Sequence, residues 1–398
     1  MLLFVKLYSL NSWKYFVYYL KIKTCPILFF FHFIIFCQQL PEITIGPYIQ
    51  NVTSNSAVVC WATKINNPVV VEAFSLKKLF GAKKLLSYYE HHEMILPNLE
   101  PNTWYTYDIS GQNNPESMGK FLTFPDGLEP FQFAVLGDTR SRHDVHSKNV
   151  DRIIEKEPLF VLHTGDMVAN GLNIQHWETF FDVTKDLMRS IPYFPTLGNH
   201  EKDSKYYYDF FHLPGNERYY SFNVGDALFI CLDLEGVQYE TPDYIKKENR
   251  EFFWNNHELP YFEEQKKWLD RTLTLYKDAG FIFVFFHQPL ISVKKSRVKG
   301  AKMRRKFWGD IFERHRVQIV FSGHDHHYHH AMSGGTHYIT TAGGGANLYD
   351  IDAIQPETVK AIKKEHFILA DVGENKVILN VIDINGDQLD AVTVSKRN

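Results

Sequence analysis

Beyond residue 130, apolar runs of strand length alternate with amphipathic stretches. FQFAVLG (131–137), LFVLHTG (159–165), FIFVFFH (281–287) and VQIVFSG (317–323) are short and almost wholly apolar, as strands buried on both faces are. Between them HSKNVDRIIEKE (146–157), FEEQKKWLDRTLTLYKDAG and RRKFWGDIFERH repeat apolar positions with a helical period. This order predicts an α/β domain over 131–394, closed by a β-only tail of HFILADV, KVILNVID and LDAVTV. Upstream, ITIGPYIQNV, SAVVCWAT, VVVEAFS, HHEMILPNL, TWYTYDIS and GKFLTF are β-branched and aromatic, and are broken by Asn, Pro, Gly and Ser. They predict a small all-β sandwich over 42–126, with Trp61 filling the space between its sheets.

The first 38 residues differ from both units. Lys21 and Lys23 precede CPILFFFHFIIFC (25–37), a run shorter than the roughly 20 apolar residues a spanning helix needs. A basic stretch followed by a short apolar run reads as a secretory leader. The expected location is therefore outside the cytoplasm: secreted, periplasmic or at the cell surface. The blander readings are an uncleaved anchor or a misplaced start. Phe36 stands where a lipidation signal at Cys37 would want a small residue. The membrane enters only through this leader.

Composition adds little until placement is considered. The 398 residues are 44% hydrophobic and 22% charged, with a formal net charge of −3, so nothing global favours nucleic acid as a partner. The four cysteines form no CxxC pair. Cys60 and Cys231 read as small buried apolar residues rather than as a disulfide.

The polar residues that interrupt the apolar runs fall at strand ends. FAVLG runs into Asp138, FVLHTG into Asp166, and YFPTLG into Asn199 and His200. FIFVFF runs into His287, and IVFSG into His324, Asp325 and His326. Open α/β sheets bind ligands beyond the carboxyl ends of their strands, so these groups are expected to meet at one edge of the sheet. A single Asp or His after a strand is ordinarily a turn residue or a cap. Five strand ends carrying Asp, Asn and His, mostly introduced by Gly, point to a ligand set. Two carboxylates, an amide and three imidazoles suit a pair of cations about 3.5–4 Å apart, which can clamp a phosphoryl displacement. The absence of thiolates disfavours a closed structural zinc site. Imidazole with carboxylate suits Fe, Zn, Mn or Ni without choosing among them.

GDTR, GDMVANG, GNHE, the His of FFHQP and GHDH stand in the order of the metallophosphoesterase (calcineurin-like) superfamily. The segment Leu99 to Tyr105 resembles the tyrosine corner of fibronectin type III domains. With that β unit, everything after the leader resembles purple acid phosphatase-like proteins. The resemblance implies two packed β-sheets flanked by helices, and two metal ions. It implies that Asp166 bridges them, that Asp138 and His326 complete one site, and that Asn199, His287 and His324 complete the other. The implied reaction is hydrolysis of a small-molecule phosphate ester, monoester ahead of diester, by a metal-bound hydroxide with His200 as general acid. Otherwise His200 would orient Asn199 or Asp166. Glu201 and Asp325 are expected to support ligands rather than to be ligands. A phosphodiesterase or nucleotidase is the runner-up. A catalytically weak, metal-bound surface binding protein is the rival from another class.

The resemblance breaks at two positions. Many members carry His two residues after the first Asp, where Arg140 stands here; an arginine stays protonated and cannot ligate a metal. Purple acid phosphatases carry Tyr three residues after the second Asp, where Ala169 stands. His146, expected to open the first helix, is the preferred replacement ligand, with His143 behind it. Arg140 is read as a fork for the substrate phosphate, with a surface salt bridge as the alternative. His327, His329 and His330 after GHDH are expected to be exposed. The basic stretch from Lys294 to Lys306 is read as a solvated loop, or else as a cluster drawing anions to the site.

Overall fold

The structure, a computed structural model, describes residues 8–9, 43–73, 83–110, 114–236 and 259–397. The leader expected over 1–38 lies outside these residues except for Tyr8–Ser9.

Two sheets face each other across the main core. One has seven strands in the order Tyr220–Val224, Ala227–Cys231, Phe281–Phe285, Ile319–Ser322, Thr336–Thr341, Tyr328–Ser333, Thr358–Ile362. The other has six: Gln388–Ser395, Lys376–Asp383, His366–Val372, Phe131–Leu136, Phe160–His163, Tyr193–Pro195. The apolar runs read from the sequence form the parallel centres of both sheets. Helices α1 (His143–Lys156), α2 (Ile174–Met188), α3 (Lys205–Phe210), α4 (Leu259–Leu275) and α5 (Val298–Arg314) follow in chain order.

A strand covered on both faces needs apolar residues at successive positions, and these strands show why. Phe133 and Phe160 stack at 5.1 Å. Phe133 meets Phe229 and Phe283 of the facing sheet edge-on, at 5.2 Å each, the preferred geometry for aromatic pairs. The alternate residues Leu228, Ile230, Ile282 and Val284 turn outward and pack with Leu269 and Leu273 of α4 and with Trp308, Ile311 and Phe312 of α5.

The N-terminal unit is all-β. Ile43–Gln50, Ser56–Ala73 and Lys83–Pro97 form one antiparallel sheet; Trp104–Asp108 and Met118–Leu122, with Tyr8–Ser9, form another. SAVVCWAT and the described part of VVVEAFS, read as two strands, are one continuous strand, Ser56–Ala73. Trp61 is buried and stacks on His92 at 5.1 Å. Tyr105 Oη accepts the Glu100 N–H at 2.9 Å, the bond of a tyrosine corner. Tyr48 and Tyr107 tie these strands to the rest of the fold: their hydroxyls donate to Phe210 O (2.7 Å) and Arg189 O (2.8 Å). Cys60 and Cys231 are both buried and free. Among the described residues, no helix is long and apolar enough to cross a membrane.

Candidate metal centre

The six expected ligands come from both sheets, not from one edge of a single sheet. Asp138, Asp166 and Asn199 follow strands of the six-stranded sheet; His287, His324 and His326 follow strands of the seven-stranded one. The two rims meet because the sheets are packed face to face. Asp138, Asp166, His324 and His326 all have left-handed backbones, with φ of 57°, 59°, 70° and 42°. That conformation costs roughly 1–2 kcal/mol per non-glycine residue, and such strain concentrates at functional sites. Two of the flanking glycines are required by close approach. A Cβ on Gly198 would lie 2.4 Å from Asp166 Oδ1, and one on Gly323 would lie 2.6 Å from Asp138 Oδ2.

The side chains form two groups that share one member. Ligand atoms of Asp166, His287 and His324 lie within 4.8 Å of one another, and so do those of Asp138, Asp166 and His326. Hydrogen bonds at the far ring nitrogens fix how the rings are turned. His326 Nδ1 lies 2.7 Å from Asn347 O. A carbonyl only accepts, so Nδ1 carries the proton. Nε2, on the other side of the ring, then faces the buried Asp138 Oδ1 at 3.2 Å. His287 repeats the arrangement. Its Nδ1 donates to Thr164 O at 2.7 Å. Its Nε2 faces Asp166 Oδ1 at 3.3 Å, Asn199 Oδ1 at 3.2 Å and His324 Nδ1 at 3.1 Å. Atoms held about 2.1 Å from one tetrahedral cation sit roughly 3–3.5 Å apart. The donor set, its spacing and its tautomers therefore fit metal ions, and the outer carbonyls orient the rings as metal sites require.

Electrostatics favour positive charge at the same place. Burial alone would lower the His287 pKa, but the charges of Asp166, Asp138 and Glu235 push it up to about 9. A proton would thus sit where a cation would. Burial would raise the Asp138 carboxyl, yet its contact with His326 and the nearby His287 hold it below the usual range. Burial and the neighbouring His287 push His324 well down, leaving it a neutral imidazole.

Glu201 and Asp325 support this set. The buried Glu201 carboxylate accepts backbone N–H groups from Asp166 (2.9 Å), Met167 (2.7 Å), Val168 (3.3 Å) and Gly198 (2.6 Å). Burial, then the Asp166 charge, push its pKa up to about 8 against those donors. Asp325 bonds Ser292 Oγ and accepts from Arg297 Nη1 at 2.9 Å. His200 is 28% exposed, with Nδ1 donating to Ala169 O at 2.7 Å and Nε2 lying 3.8 Å from Asp166 Oδ2. Arg140 donates from Nε to Asp166 Oδ2 at 3.3 Å.

Three expectations need correcting or relocating. The structure brings His146 into neither ligand group. It lies inside the first turns of α1, which begins at His143; its ring faces Phe180 at 5.8 Å, and its buried Nε2 has no hydrogen-bond partner. His143 is exposed. His327, His329 and His330 are buried rather than exposed; His329 and His330 lie on Tyr328–Ser333, an interior strand paired on both sides, and His327 immediately precedes it. The basic stretch is not a solvated loop. From Val298 it is helix α5, and Arg297, Arg304 and Arg305 are engaged by Asp325, Gln288 and Glu357. Lys295, Lys299, Lys302 and Lys306 remain exposed.

Residues 131–328, the span that holds every ligand above, match the Calcineurin-like phosphoesterase family. The chain belongs to the calcineurin-like phosphoesterases. It is 26% identical over 271 residues to an uncharacterised protein of Mycobacterium tuberculosis, covering 58% of this chain and 49% of that one. It is 27% identical over 268 residues to purple acid phosphatase 21 of Arabidopsis thaliana, covering 64% and 58%. It thus spans about half the length of the curated relatives it matches. The purple acid phosphatase PPD1 of yellow lupin (Lupinus luteus) seeds shares the fold, with a TM-score of 0.66 at 16% identity over 88% of this chain and 74% of that one.

In this calcineurin-like phosphoesterase several residues around the centre escape sequence reasoning. Asn347 fixes the His326 ring, and Tyr349 stacks on it at 4.0 Å. They follow a glycine run, with no strand-to-ligand signal. Glu235 is different: it follows the buried strand Ala227–Cys231, two residues beyond Asp233, the polar group to which the strand-end rule points.

Proposed function

We propose that the chain is a binuclear metal-dependent hydrolase of phosphate esters, acid phosphatase-like, with monoesters preferred. The observation that carries this reading is the membership of Asp166 in both ligand groups, with one imidazole in each whose Nδ1 donates to a backbone carbonyl and whose Nε2 faces a buried carboxylate oxygen. Asp138, Asp166 and His326 would hold one ion; Asp166, Asn199, His287 and His324 would hold the other. Two such ions supply positive charge that activates a water and stabilises the phosphoryl oxygens. His200, oriented by Ala169 O, keeps Nε2 toward the site and can protonate a leaving alkoxide. Arg140 uses Nε on Asp166, and among the described residues its two terminal nitrogens have no protein partner; these can fork onto a phosphate. The residues around 42–126 are taken as a fibronectin type III-like unit, supported by the Tyr105–Glu100 bond, with 131–394 as the catalytic unit. Export through the leader belongs to the same reading.

A second reading has one observation in its favour. Arg140 sits on Asp166 Oδ2, and a cation there competes with a metal for that oxygen. This supports a catalytically weak, metal-bound binding protein. Elemental analysis combined with turnover of a generic aryl phosphate separates the two. The hydrolase should bind two metals per chain, and His200→Ala should keep both while losing roughly 10²–10⁴ of kcat on an alkyl phosphate. Two bound metals without turnover would leave the binding protein as the better account.

A further inference from the structure

We propose that Glu235 is the charge that sets cation affinity at one half-site, that of Asp166, Asn199, His287 and His324, and not at the other. The inference rests on the binuclear reading above. The two half-sites are unequal in charge. One holds Asp138 outright and shares Asp166; the other shares Asp166 and otherwise has only neutral ligands. A dication at the poorer half-site gains most from a nearby carboxylate.

Chain topology brings Glu235 to that half-site. Ala227–Cys231 lies parallel to and beside Phe281–Phe285, the strand that delivers His287. Past the strand ends the two segments stay paired, with Leu232 N donating to Phe285 O at 3.0 Å. A turn closed by Asp233 Oδ1, which accepts from the N–H groups of Glu235 (2.9 Å) and Gly236 (3.0 Å), then sets the side chain. Glu235 is 1% exposed. Its Oε2 accepts from Gln288 Nε2 at 3.0 Å, next in the chain to His287. Gln288 cannot flip, because its Oε1 accepts from Arg304 Nη1 at 2.8 Å. Arg304 is itself tied to Pro289 O by Nε at 3.1 Å and Nη2 at 3.0 Å. The carboxylate is thus held from strand end, loop and helix α5 together.

Its charge is balanced only in part, since the Arg304 guanidinium lies within its field. Glu201, the other buried carboxylate beside the centre, spends its charge on four backbone N–H groups. Glu235 has the Gln288 amide on one oxygen, while Oε1 is buried with no partner among the described residues.

The test is a titration of metal-stripped full-length protein with Mn²⁺, followed by calorimetry and elemental analysis. In a His326→Ala background, which leaves the Asp166/Asn199/His287/His324 half-site, Glu235→Gln should weaken Mn²⁺ binding about 10- to 100-fold. Glu235→Asp should recover part of that loss. In a His324→Ala background Glu235→Gln should change affinity less than about twofold. Equal weakening in both backgrounds would mean that the carboxylate serves the fold generally and would overturn the assignment. Unchanged affinity in both would also overturn it. Wild-type protein that took fewer than two equivalents would sink the binuclear reading itself, and this assignment with it.

Discussion

A carboxylate that binds no metal can matter as much to a metal site as one that does. Glu201 gathers the N–H groups of Asp166, Met167, Val168 and Gly198, and so shapes the backbone of the bridging aspartate and of the turn before Asn199. Those donors belong to buried residues, and Glu201 itself is 0% exposed. Each buried donor left unpaired costs about 1–3 kcal/mol. Even if solvent rescues half of them, Glu201→Ala should lose about 3 kcal/mol or more of stability in the metal-free protein. Urea denaturation of wild type and variant measures this directly. A difference below about 1 kcal/mol would show that the turn holds itself and that Glu201 is dispensable.

The elements differ in how plainly the sequence announced them. The strands ending at Asp138, Asp166, His287 and His324 were legible because burial on both faces excludes polar residues until the strand stops. The first polar group after such a run is therefore conspicuous. Tyr328–Ser333 was not legible, because its two histidines look like surface residues until neighbouring strands cover them. The pairing of two sheets at one site was visible only through the family resemblance, since strand periodicity says nothing about which sheet a strand joins. Helix α2 lay outside the reading altogether, yet it bears on the centre. Trp177, 0% exposed on α2, donates from Nε1 to Gly171 O at 2.8 Å, and Gly171 N donates to His200 O at 2.7 Å. The helix therefore holds the loop that holds His200. Trp177→Phe keeps most of the ring packing and removes one hydrogen bond, worth about 1 kcal/mol. If His200 is the acid, turnover of alkyl phosphates should fall by more than that of aryl phosphates, whose leaving groups need less protonation. Metal content should stay at the wild-type level. An equal fall for both substrates would place Trp177 in general stability and not in the support of His200.

For the molecule as a whole, burial of histidine ties stability to pH. Burial, as the largest cause, pushes His146, His327 and His329 down to about 3, and His330 and His366 down to about 4. An unfolded chain protonates these rings near the ordinary value of about 6.5, so below that pH the unfolded state binds more protons than the native one. Their contribution to stability is complete above about 6.5 and is lost as pH falls toward 3–4. Each titrating ring changes stability by up to about 1.4 kcal/mol per pH unit. Acting together, five rings would consume a typical domain stability of about 5–15 kcal/mol within one to three pH units. His287, pushed up to about 9, works in the other direction: its contribution is complete below about 6.5 and fades as pH rises through 9. Glu201, pushed up to about 8, and Glu235, pushed up to about 7, gain stability as pH falls toward 4.5 and offset part of this loss; with five rings against two carboxyls, the metal-free protein should be most stable near neutrality and lose stability between pH 6 and 4. Bound cations add stability by mass action, so any working range in acid depends on the metals staying in place. Urea midpoints of metal-free and metal-loaded protein at pH 7, 6 and 5 test the whole chain of reasoning. The metal-free midpoint should collapse first, and His366→Gln, which removes one titrating ring, should flatten its slope. A metal-free midpoint that held steady from pH 7 to 5 would mean that these histidines are not kept neutral by the fold.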